Sequence, residues 1–338
     1  MRERNASIDI FRIIGAIAVI SIHTAPLSEY GYNWWYLTVQ ILPRIGVPFF
    51  FCTCGYYYIG ALLNKRNIFW KTMKRFLVTY GVWSIIYCVP DIRQVLTGEA
   101  SILGFILNCL RQFIIYGSRE HFWFFPAVFF SIIVATAFDQ IGKLHWLASG
   151  SIIAYILGLL GCSYYEIGNQ IPVISMLNNL RQYDLIRRII LMGMPFFMMG
   201  YFLQRVKLDE ISNKKNIVLE IFWLGIYFVE IFCVNKTKIQ VNIYITITLY
   251  LLLFNTMLIL LKNPWRHLKK FSSLTRDLSN FMYYSHPLFM VWINGIMLWL
   301  MERKATGTEL FLLTVILSGS VGWLLHKIDN KYLNILYK

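Results

Sequence analysis

At 338 residues, 57% hydrophobic and 17% aromatic but only 14% charged, with a mean hydropathy of +0.55, the chain has the composition of an integral membrane protein. Apolar runs extend nearly end to end, so residues 1–338 read as one membrane domain with no room for a soluble one. The formal net charge of +15 is spread through short loops, where it reports topology rather than a nucleic-acid partner.

The pattern predicts an all-α polytopic protein of about ten spans, each of roughly 20 residues. The first, 8–25, holds Asp9, Arg12 and His23. Ionisable groups in hydrocarbon are costly and usually face a bundle interior or a wet cavity. On a helix, His23 returns to within about 20° of the azimuth of Arg12, some 16 Å higher. Asp9 and Arg12, spaced i, i+3, either pair locally or snorkel to the headgroups. These charges, and the lack of a small-x-small site, argue against a cleaved signal peptide.

The second span, 41–63, opens on Arg44 at a depth expected to match His23, followed by Pro48 and Gly55, which favour a kinked or closely packed helix. An arginine there either steadies developing negative charge or caps loop carbonyls. Lys65, Arg66, Lys71, Lys74 and Arg75 lead into span three, 73–90. Within the connection 91–120, Ile102 to Tyr116 predicts a short helix along or into the membrane. Span four, 121–138, begins at Glu120-His121-Phe-Trp123, where a carboxylate could orient an imidazole or the group is simply part of an aromatic belt.

Span five, 144–161, leads to a polar connection at 162–186, suited to recognition. Spans six to eight cover 187–204, 217–234 and 241–261; Glu220 and Glu230 in span seven either form a path or sit near helix ends. Span nine, 278–300, contains His286 before Pro287, either a flagged intramembrane histidine or a satisfied core group. Span ten covers 309–326. His145, His267 and His326 read as interface residues.

On this assignment the side holding both termini carries 20 basic residues, including Arg2, Arg4 and Lys338, and the other side 10, including Arg181. The positive-inside rule makes the termini cytoplasmic. The six cysteines show neither metal nor disulfide spacing, although Cys109 and Cys162 could meet on the outer side. Phosphate-loop, HExxH and GxSxG motifs are absent, and no metal is expected.

Read together, several segments resemble the acyltransferase-3 family of bacterial membrane proteins. They are Arg12 with His23; Arg44, Val47, Pro48, Phe49, Phe50, Gly55 and Tyr56; His121, Trp123, Phe124 and Pro126; Pro195, Phe196, Phe197, Gly200, Tyr201 and Phe202; and Tyr283, His286 and Pro287. Cys54 stands where the family usually has serine. Segments around Ser7 to Arg12, Val47 to Phe50 and Tyr183 to Arg187 are similar to the membrane half of vancomycin-resistance serine racemases.

The resemblance implies a ten-helix domain in the bacterial plasma membrane, moving an acyl group from cytoplasmic acetyl-CoA or another acyl-CoA to a hydroxyl or amine of an envelope glycan or small acceptor. It implies His23 as acid/base, Arg12 as donor anchor and Arg44 as a further cation. With the residue reading, the catalytic candidates are His23, Arg44, Glu120 and His121. The donor-binding candidates are Asp9, Arg12, Lys71, Lys74, Arg75 and His286. Expected partners are membrane lipid, acyl-CoA and the acceptor, and a homo-oligomer also fits. The alternative is a transport-like relative that moves a small substrate such as serine.

Overall fold

The computed structural model describes residues 5–180, 183–240 and 243–337. Arg2, Arg4, Arg181 and Lys338, used above for topology, and residues 241–242 of predicted span eight lie outside the described residues. The described residues form helices and turns, with no strand among them. The main helices are α1 (Ala6–Thr24), α2 (Gly46–Leu63), α3 (Phe69–Cys88), α4 (Ile102–Arg111), α5 (Phe124–Gln140) and α6 (Leu144–Leu160). They continue as α7 (Met194–Arg205), α8 (Asn213–Thr237), α9 (Ile247–Lys262), α10 (Ser272–Met301) and α11 (Gly307–Ile328).

Each expected span meets a helix, but length and composition alone qualify six segments to cross a membrane: Ala6–Thr24, Tyr32–Leu63, Glu120–Gln140, Tyr183–Arg205, Asn213–Thr237 and Gly307–Ile328. A seventh is counted if Ile247–Lys262 and Arg266–Met301, bent by 97°, are taken as one span. Helix α3 carries Lys71, Lys74 and Arg75, and α6 is short, so neither qualifies on these grounds. The second span starts nearer Tyr32 than residue 41, because the apolar stretch before Pro43 stays coiled. It runs as a π segment (Tyr36–Ile41) and a 3-10 turn (Leu42–Ile45) into α2. A proline at the start of a new turn lacks only a donor that the turn does not use. The apolar helix expected at 102–116 is present as α4 and a following π segment.

The described chain packs as two compact units. Unit 1 comprises residues 1–50, 159–169 and 205–338, and unit 2 comprises 51–158 and 170–204.

In unit 1, α1 starts at Asn5, whose side chain accepts from the backbone N–H groups of Ser7 and Ile8. Asn5 Nδ2 and Ser7 Oγ also donate to the carbonyl of Leu260, at 3.0 and 2.6 Å. That carbonyl lies four residues before Pro264, which has no N–H to offer it. Helices α1 and α10 run parallel. Ser272 Oγ donates to Asp9, a separation of 263 residues, and His286 meets His23 at the same offset. Between these levels lie Ala16, Ile20 and Met282, with Phe50, Phe311 and Val315 against them. Helix α11 runs the other way, from Thr308, which accepts from the Leu27 N–H at 2.8 Å, to His326 beside Asp277.

Helices α8 and α9 form an antiparallel pair. Glu220 accepts from Asn255 and Thr256, at 2.7 and 2.5 Å. Glu230 accepts from the N–H groups of Ile247 and Thr248 and from the hydroxyl of Tyr164, at 2.8, 2.8 and 2.6 Å. Glu230 thus closes the start of α9, and both carboxylates join helices.

In unit 2, α2 and α7 touch backbone to backbone. A Cβ on Gly55 would lie 1.8 Å from the carbonyl oxygen of Phe197, and one on Gly200 would lie 2.3 Å from the nitrogen of Tyr56. Gln204 then donates to the Tyr56 carbonyl at 2.8 Å. Close approach of this kind requires glycine on both helices. Nearby, the buried ring of Tyr80 stacks on Phe113 and Phe125, at 4.4 and 4.6 Å between centroids. Its hydroxyl donates to the Phe113 carbonyl and accepts from the Ser118 N–H, both at 2.9 Å.

Candidate active site

In unit 1, unbroken α1 carries Arg12 near one end and His23 near the other, three turns apart and aligned on one side by helical geometry. The Arg12 end holds a charged layer. Arg12 Nη1 lies 3.9 Å from Asp9 Oδ1, with the arginine side chain 16% exposed, so most of the pair is covered by protein. On α10, Asp277 is fully buried. Its Oδ1 accepts from Arg276 Nε and Nη2, at 2.9 and 2.7 Å, and its Oδ2 lies 3.0 Å from His326 Nδ1. The sequence places His326 at an interface and Arg276 among the loop cations of the side that holds the termini, and gives Asp277 no role. An acidic residue beside an arginine at the head of an apolar run was the available signal, but its second partner, His326, comes from α11 and depends on tertiary register.

The other end holds two imidazoles. His23 and His286 have ring centroids 5.1 Å apart, with planes at 39°. His286 is 0% exposed, and its Nδ1 lies 2.9 Å from the carbonyl oxygen of Tyr283. Tyr283 in turn packs against Phe50, at 5.7 Å between centroids. The sequence flagged both histidines without pairing them, since nothing in the spacing gives the register of α1 against α10.

Arg44 is 9% exposed in the turn before α2. It donates to Gln40 and its guanidinium lies over Tyr244, 4.8 Å from the ring centroid. Ser21 donates to the Thr38 carbonyl at 2.6 Å, and Gly46 packs onto Gly15 and Ala18. These contacts seat the segment that carries Arg44 against α1.

The remaining candidates belong to unit 2. His121 is buried in a 3-10 turn, 5.5 Å from the Tyr87 ring and 3.9 Å from the Phe122 ring, whereas the adjacent Glu120 is exposed. Beyond them, Arg187 and Arg188 both pair with Asp184, and Arg188 lies 6.0 Å over Trp123. Lys71, Lys74 and Arg75 are exposed along one side of α3. A cleft of about 600 Å³ opens beside them, lined among others by Lys65, Arg66, Trp70, Thr136 and Asp139. The sulfur of Cys109, offered by the sequence to Cys162, lies 3.0 Å from that of Cys88.

A sequence profile described as "Acyltransferase domain" matches residues 5–327. Among curated relatives, an "Amino-acid racemase" of Enterococcus faecalis is 30% identical over 340 residues, covering 98% of this chain and 47% of the relative. A second protein of that name and organism is 30% identical over 59% of this chain and 28% of its own length. A "Serine/alanine racemase" of Enterococcus gallinarum is 27% identical over 50% of this chain and 25% of its own length. The chain therefore spans about half the length of the first of these relatives, and less of the others. No solved structure matches it.

Proposed function

This chain belongs to the acyltransferase-3 family of helical membrane proteins, and we propose that it transfers an acyl group, acetyl in the first instance, from acyl-CoA to a hydroxyl or amine at the far side of a bacterial plasma membrane. The observation that carries the reading is the α1 arrangement. A cation held by Asp9 and an imidazole held near His286 lie on one helix, separated by an apolar layer at Ala16 and Ile20.

His23 acts as general base. It takes the proton of the acceptor hydroxyl as the oxygen attacks the thioester carbonyl. The tetrahedral intermediate then expels the thiolate, which receives that proton back from His23. Arg44 supplies positive charge toward the developing oxyanion, and Arg12 anchors the donor at the cytoplasmic end. Asp9 holds Arg12 in place. Lys65, Arg66, Lys71, Lys74 and Arg75 attract the donor's phosphates. Glu120 and His121, catalytic candidates by sequence, lie in unit 2, where Tyr87 and Phe122 pack His121, and take no step in this proposal.

Purified protein in nanodiscs, given radiolabelled acetyl-CoA and a panel of glycan and amino-acid acceptors, tests this. Label should move to an acceptor with wild type and not with His23→Ala. A second reading takes only the ligand class from relatives named amino-acid and serine/alanine racemases: the domain binds an amino acid such as serine and moves it across the membrane. Serine uptake into proteoliposomes, without any thioester cleavage, would replace the first reading by the second.

A further inference from the structure

Pro287 has no N–H, so the carbonyl four residues earlier in α10, that of Tyr283, has no helical donor. His286 fills the vacancy through Nδ1, 2.9 Å away. A carbonyl oxygen only accepts, so Nδ1 carries the proton and the neutral ring keeps its lone pair on Nε2. The ring is 0% exposed, which leaves that lone pair facing protein rather than solvent. The ring beside it is His23, at 5.1 Å between centroids. This pairing does not depend on a floppy side chain, because the same 263-residue offset also seats Ser272 on Asp9, about four turns away along both helices.

We infer that His286 is the positioning residue of His23: its Nε2 receives an N–H of the His23 ring through one water, and so leaves the other His23 nitrogen as the lone pair that meets the acceptor. The His286-Pro287 dipeptide is then a tautomer lock. Proline frees a carbonyl, the carbonyl fixes one histidine, and that histidine fixes the next. When His23 takes the acceptor's proton, its N–H toward His286 becomes a charge-assisted donor and strengthens. A base oriented by a third group follows the general logic of activated nucleophiles. The inference rests on His23 as the base of the proposed transfer.

Two substitutions separate positioning from simple packing. His286→Asn keeps an amide donor for the Tyr283 carbonyl but loses the acceptor toward His23. His286→Gln keeps an amide oxygen near the Nε2 position but loses the donor. In full-length protein in nanodiscs, the rate of His23 carbethoxylation by diethyl pyrocarbonate, followed by mass spectrometry, reads the imidazole without any acyl donor. His286→Asn should change that rate about fivefold or more and lower kcat about tenfold or more with little change in KM, while His286→Gln retains the larger share of both. The reverse order, with Asn like wild type and Gln impaired, would overturn the inference.

Nitrogen-15 spectra of the histidine-labelled wild type need no variant. A proton on Nδ1 of His286 is expected, and one on Nε2 alone would contradict it. Altered His23 reactivity in a protein that does not turn over acetyl-CoA would support the pairing while removing the acyl-transfer reading.

Discussion

The two units differ in how their ionisable side chains are grouped. In unit 1, α1, α10 and α11 enclose ionisable side chains in two layers, Asp9, Arg12, Arg276, Asp277 and His326 at one end and His23 with His286 at the other. In unit 2, the helix contacts described above are made by glycine against backbone and by stacked aromatic rings, its buried ionisable groups His121 and Arg187 are held by ring contacts and by Asp184, and the cations of α3 are exposed. Buried polar groups are tolerated only when partnered, and each layer of unit 1 partners its members across helices. The proposed transfer takes its proton chemistry from the histidine layer of unit 1. Rigid support and surface attraction belong to unit 2.

Substitutions can break this contrast from either side. Asp277→Ala strands Arg276 and His326 around a vacated carboxylate, and should cost about 3–5 kcal/mol. Hydrogen exchange should then rise first in α1, α10 and α11; a rise spread equally over unit 2 would erase the distinction. Gly55→Ala drives a methyl into the Phe197 carbonyl and should cost about 1–3 kcal/mol or more, with faster exchange in α2 and α7. Replacing Lys71, Lys74 and Arg75 together by alanine should leave stability nearly as it was. It should raise the KM for acetyl-CoA about threefold to tenfold at low salt, and less as salt screens the charges.

The smallest effect concerns Glu29, in the loop after α1. Hydrogen bonds with Thr308 hold its carboxyl below the usual range. A depressed folded value contributes stability above the unfolded value of ~4.3, and that contribution disappears as pH falls through the folded value. The tie from this loop to α11 should therefore loosen only in acid, by a small amount because the group is exposed. Glu29→Gln should flatten the acid limb of the melting curve against pH.

Sequence alone made the helices and the Arg12–His23 alignment legible, because both follow from hydropathy and helical period along one segment. The glycine approach at Gly55 was also readable as close packing. What sequence missed depends on tertiary register. Nothing in the spacing of residues 23 and 286 says that α1 and α10 run parallel at one offset, or that Asp277 meets His326. Glu220 and Glu230 read equally as a path or as helix ends, and their contacts with Asn255, Thr256, Ile247 and Thr248 make them joints. The contacts of Arg44 with Gln40 and Tyr244 likewise depend on how the segment before α2 folds.

Single-turnover cleavage of the acetyl-CoA thioester, followed for wild type and His23→Gln in nanodiscs with acceptor present, tests the assignment of chemistry to unit 1 most directly. The account predicts a loss of about a hundredfold or more in rate for a variant that melts like wild type. Cleavage by His23→Gln at the wild-type rate would contradict it.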